Sequence, residues 1–184
     1  HRDGPGAKGA GGWRVEGHHV SLRFTINDGS VASHVASSPM FLGSNPADVR
    51  DGPQKGTRVL GEEEDAARAL VQALTPEQQK TAIISATAPN DILTMNKNDI
   101  TPLAAEGILY SALQPAQQAM LVRLLEVYTA TMEADVAAER MAVARRGGLE
   151  QLRFAWAGGT ARGEKHYYRV QGPTFLIEFD NTQN

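Results

Sequence analysis

Three stretches of this chain hold residue types that acid–base or cation chemistry needs. Gly17-His18-His19-Val20-Ser21-Leu22 places two imidazoles in an apolar run, and Phe175-Leu176-Ile177-Glu178-Phe179-Asp180-Asn181 places two carboxylates in an alternating one. His166-Tyr167-Tyr168-Arg169 adds a phenol, Tyr168, and a guanidinium, Arg169, that can fix a carboxylate or phosphate by charge-assisted hydrogen bonds. Carboxylates two residues apart on a strand share a face, and like charges held close raise one pKa, as acid–base work or cation binding requires.

Each group also has a plainer explanation. Adjacent strand residues point to opposite faces, so His18 falls with Val20, Leu22 and Phe24, where a hydrogen-bonded core histidine is enough. His19 falls with Ser21, Arg23 and Thr25 on the polar side and is the stronger functional candidate. Glu178 and Asp180 match any half-exposed strand, and Tyr168 and Arg169 match side chains lying over a neighbouring helix. His34 stands on the return strand of the first hairpin, within reach of His18 or His19 if the register allows.

Composition narrows the chemistry. With 184 residues, 41% hydrophobic and 21% charged, the chain is about one domain long and has enough apolar material for a core. A net charge of −3 with no basic block argues against nucleic acid. The lack of cysteine removes thiolate catalysis and disulfides, so a metal would need His, Asp or Glu. No apolar run reaches the roughly 18 residues of a membrane span, and the start has no signal-like apolar core; the chain reads as soluble and trimmed from something longer. Gly-x-Ser-x-Gly, the phosphate loop, His-Glu-x-x-His and the dinucleotide fingerprint are all missing.

The elements that must position these groups follow from periodicity. Residues 1–12 are glycine-rich and read as a flexible arm. Apolar parity runs through Trp13 and Val15, then switches to Val20, Leu22, Phe24 and Ile26, which suggests a bulge at Gly17. Asn27-Asp28-Gly29 has hairpin-turn chemistry, with a return strand over 30–37. A turn-rich loop reaches Leu60, and helical spacing begins after Gly61, with Glu62, Glu63, Glu64 and Asp65 where the helix dipole favours negative charge. Thr75-Pro76-Glu77-Gln78 is a capping-box start for a helix to about Ala86. Pro89 to Pro102 reads as a loop, Gln114-Pro115 opens a longer helix, and another runs from about Ala134 to Arg146. The stretches Leu74–Gln79 and Leu113–Gln118 are alike, by shared capping chemistry or by duplication. Strands return over 152–157, 166–171 and 174–180. The fold class is α+β: one domain over 13–184, with N-terminal strands (13–38) and C-terminal strands (149–181) in one antiparallel sheet and the helical middle (62–147) packed on one face.

Gly12–Leu22, Phe41–Pro46, Phe154–Gly158 and His166–Asn184 together resemble the family called domain of unknown function thirty-five hundred, over about Gly9 to Asn184. The resemblance implies no established activity. It implies a longer protein, with a helical region before Trp13 and further histidines, including a His-x-His, after Asn184. On that basis the histidines here belong to a larger imidazole–carboxylate set that would suit zinc, copper or iron.

The resulting expectation is a metal-dependent enzyme, with His18, His19 and Asp180 as metal ligands and Glu178, Arg169 and Tyr168 as catalytic residues. The alternative is a non-catalytic module whose polar strand face and 41–53 loop recognise a small molecule or peptide.

Overall fold

The computed structural model describes residues 11–26, 35–95, 97 and 101–183; residues 1–10 of the arm expected over 1–12, the Asn27-Asp28-Gly29 turn, His34 and Asn184 lie outside them, while Gly11 and Gly12 belong to a strand. The chain opens with strands β1 (Gly11–Gly17) and β2 (Val20–Ile26), paired antiparallel with Gly17 opposite Val20. His18 and His19 are therefore the two-residue turn of a hairpin and not part of a strand. The parity switch at Gly17 is the consequence, because Trp13 faces Phe24 and Val15 faces Leu22 across the pair. Trp13 and Phe24 stack with ring centroids 4.1 Å apart. Short strands β3 (Val35–Ala36) and β4 (Met40–Leu42) both pair with β2 and complete the first sheet.

Helices α1 (Gly61–Ala73) and α2 (Pro76–Ala82) follow, the second with the capping box between Thr75 and Gln78. The expected continuation of α2 to Ala86 fails. The β-branched pair Ile83-Ile84 leaves the helix as strand β5 (Ile83–Ser85), which pairs with the C-terminal strands. Strand β6 (Ile108–Leu109) also interrupts the helical middle, ahead of α3 (Pro115–Thr129) and α4 (Ala134–Arg146). The chain closes with β7 (Arg153–Gly158), β8 (His166–Gln171) and β9 (Leu176–Asn181).

The α+β class holds, with one revision: the strands of the two ends form two sheets instead of one. The second sheet runs β5-β7-β8-β9 with β6 also on β7; its β5–β7 pair is parallel and the others are antiparallel.

Alternation in the second sheet sorts its side chains. Trp156, Tyr168 and Phe179 lie in one cross-strand row and stack, at 6.0 and 5.1 Å between rings, on the face covered by α1 and α3. With Leu70, Val71, Leu121, Leu124 and Phe154 they form the buried core. The opposite rows are Ala155–Arg169–Glu178 and Ala157–Tyr167–Asp180. The segment after β5 folds over that face: Ala104 and Leu103 bond to Arg169 and Gln171, Leu93 and Thr94 to Glu178, and Asn90 to Thr182. Gly107 takes φ +94 where its backbone crosses β7, and a side chain there would strike the carbonyl of Phe154.

The two similar helix starts meet in space. Gln78 and Gln117 exchange reciprocal amide hydrogen bonds of 2.9 and 2.8 Å, while Gln79 and Gln118 each reach back to a carbonyl eight residues earlier. Among the described residues no helix is long and apolar enough to cross a membrane.

Candidate functional site

A cleft of about 370 Å³ lies between the two sheets. Its walls are the β1–β2 turn, the 38–45 segment around β4, the first turn of α1, the 91–95 turn and the end of β9. His19 enters from the first sheet, and Glu178 and Asp180 from the second. The fold thus brings these three candidates to one cavity across an inter-sheet gap.

The turn holding His19 is fastened by a 2.8 Å bond from the Gly43 N–H to the His19 carbonyl. Gly43 lacks the side chain that would otherwise lie 3.3 Å from His19 Nδ1. His18 and His19 are both exposed, their rings edge to face at 4.5 Å, and His18 stays outside the cleft. The expectation that His18 shares the core face of β2 gives way, because a turn residue belongs to neither strand.

The two carboxylates differ in environment. Glu178 accepts bonds from the backbone N–H of Leu93 at 2.7 Å and of Thr94 at 3.2 Å, from the Thr94 hydroxyl, and from the Tyr167 hydroxyl at 2.7 Å. Its lone pairs are committed to pinning the 91–95 turn. Asp180 accepts one side-chain bond, 2.8 Å from Thr182, on Oδ2, while its buried Oδ1 has no partner among the described residues. Burial, reinforced by Asp91, raises the Asp180 pKa above the usual aspartate range. Asp180 therefore holds its proton to higher pH than an ordinary aspartate, the direction of shift a general acid needs.

Tyr168 and Arg169 lie elsewhere. Tyr168 is buried in the core, sharing a 2.6 Å hydroxyl bond with Tyr128 and donating to the Glu63 carbonyl at 3.0 Å. Arg169 is 2% exposed under the covering segment, donating to the Ala104 carbonyl at 2.7 Å and to Glu106 at 3.1 Å. Neither borders the cleft.

Three ionisable features escaped sequence reasoning. Glu63 borders the cleft, buried, its pKa raised by desolvation. It lies four and seven residues before Ala67 and Leu70, so helical spacing already puts it on the inward stripe. Within α1, Glu64 pairs with Arg68 one turn on and, at 2.8 Å, with Arg58 from the preceding loop. Burial works against the Glu64 charge, but the two arginines prevail and hold its pKa below the usual glutamate value. His166 stacks on Trp156 with Nδ1 2.9 Å from the Glu164 carbonyl, while its buried Nε2 makes no hydrogen bond among the described residues and lies 3.9 Å from Glu64 Oε1. Its place beside Val170 in β8 parity was the available signal.

Comparison with known families decides the relationship. Residues 3–184 match the family described as protein of unknown function (DUF3500). The chain belongs to that family. Neither the curated proteins nor the solved structures give a match. For this DUF3500 chain, no group of three His, Asp or Glu side chains placed to hold a metal occurs among the described residues.

Proposed function

We propose that the inter-sheet cleft is an enzyme site for acid–base chemistry on a small polar molecule. Asp180 is the proton donor and acceptor, His19 the complementary group from the facing sheet, and Glu178 the residue that shapes the wall by holding the 91–95 turn. The observation that carries this reading is Asp180 itself: a part-buried carboxyl with a raised pKa and an unpartnered Oδ1, in the same cavity as an imidazole.

A metal-dependent form is the second reading, favoured by the two imidazoles meeting on the rim at 4.5 Å. His19 and Asp180 would then hold zinc, copper or iron, with water, substrate or His18 supplying other donors. A module that binds a small molecule or peptide without chemistry is the third outcome of the same test.

The experiment begins with carboxyl-carbon NMR of the untagged chain, following Asp180 through a pH titration. A fragment library is then screened, and separately zinc chloride is added, with the Asp180 and His19 resonances as reporters. The acid–base reading expects Asp180 to titrate above ordinary aspartates and fragments to shift both residues. Zinc shifting both, with the response lost in His19→Ala, selects the metal form. Asp180 titrating in the usual range, or fragments gathering at other sites, overturns the proposal.

A further inference from the structure

A second cavity, of about 240 Å³, lies on the other side of Tyr128, between α3, α4 and the approach to β9. Leu125, Met132, Met141, Phe175 and Ile177 give it apolar walls. Arg140 supplies its cation. The Arg140 Nε donates to Ser37 at 3.3 Å, but Nη2 is buried and without a hydrogen-bond partner among the described residues. Arg140 forms no ion pair among them either, whereas Arg146 on the same helix is joined to Glu139 at 2.6 Å.

A buried guanidinium N–H without an acceptor costs free energy that an incoming anion recovers, and a carboxylate is the anion whose geometry suits it. The apolar walls demand that the rest of the ligand be hydrocarbon. The volume is below the roughly 300–1,000 Å³ of sites for drug-sized ligands, which favours a compact molecule. We infer that this cavity binds a small organic monocarboxylate with an apolar body, its carboxylate on Arg140 and its hydrocarbon between Met132, Met141 and Phe175. The inference is independent of the chemistry assigned to the first cleft. The two cavities share Ser38, Met40, Tyr128, Leu176 and Glu178, the last with its carboxylate held by Leu93, Thr94 and Tyr167, so an occupant here touches the wall of the other.

The test titrates the chain with 3-phenylpropionate while recording methionine methyl NMR, the signals being assigned with Met132→Leu and Met141→Leu. Saturable one-to-one shifts of both methyls are expected, with 3-phenylpropanamide, the uncharged analogue of the same shape, binding about ten-fold or more weakly. Arg140→Gln should weaken the acid by a similar factor and leave the amide unchanged. Should Arg140→Gln fail to fold, the acid-against-amide comparison on the parent chain decides alone. The inference is overturned if the methyls do not respond at millimolar acid, if the amide binds as tightly, if Arg140→Gln binds the acid undiminished, or if inorganic phosphate gives the same shifts.

Discussion

Tyr167 donates a 2.7 Å hydrogen bond to Glu178, although strand register pairs Tyr167 with Asp180 and Glu178 with Arg169. The bond is diagonal because Arg169 turns to Ala104 and Glu106, leaving the Glu178 carboxylate to Tyr167 and the 91–95 turn. The likeliest ion pair in the register therefore does not form, and a carboxylate with catalytic chemistry serves as a clasp.

Removing the clasp should release the turn. Glu178→Ala is expected to cost about 2–4 kcal/mol and Tyr167→Phe about 1 kcal/mol, since the first deletes an acceptor used by four donors and the second a single bond. Urea denaturation reads the stability. Hydrogen exchange at the Leu93 and Thr94 amides reads the turn; unchanged protection in Glu178→Ala would refute the assignment.

His166 should make stability depend on pH. Burial lowers its pKa below the ordinary 6.5, so the folded chain favours the neutral ring. Stability is then full above about pH 6.5 and declines as pH falls from there toward the folded pKa, by at most about 1.4 kcal/mol per pH unit. His166→Gln should flatten this slope. Measurements above pH 5 keep it separate from Glu64, whose contribution disappears below its ordinary 4.5.

Glu64 neutralises two arginines, so Glu64→Gln leaves a buried positive cluster beside Trp156. A loss of about 3–5 kcal/mol is expected from breaking the buried pair on one side. Replacing Glu64 and Arg68 together by leucine should recover part of it, because neither charge then remains stranded. A double variant no better than Glu64→Gln alone would contradict this account.

Asp180 works in the opposite sense to His166. Its folded pKa lies above the ordinary 3.8, so the ionised form costs stability at neutral pH, and that cost fades as pH falls toward 3.8. Asp180→Asn should raise the melting temperature at pH 7, by under about 1 kcal/mol in stability, with the advantage shrinking at acid pH. Higher stability with lost fragment binding in the first cleft would be the signature of a functional carboxyl.

Much of the architecture was legible in the residues. The capping box at Thr75, the α3 start at Pro115 and strand β8 all stand where local chemistry puts them. The antiparallel return of Val35–Ala36 onto β2 stands as expected, but the β1–β2 hairpin reads in sequence as one strand with a bulge at Gly17 for a physical reason: His18 and His19 take no positive φ, so the turn needs neither glycine nor asparagine and carries no turn signature. The parity switch from Val15 to Val20 was the visible trace, since residues facing each other across a two-residue turn must change from odd to even.

Sequence alone determined the α+β class and the helix starts, because these depend on periodicity and capping within a few residues, and its long motifs at both ends carried the family resemblance. Tertiary structure decided which carboxylate is available and which is occupied, and that His19 and Asp180 share a cavity. It placed Glu178 under a turn 84 residues away in the chain, and set β1–β4 apart from β5–β9 as a second sheet. Those outcomes depend on which distant segment covers which face, and alternation along a strand names the faces without saying what covers them.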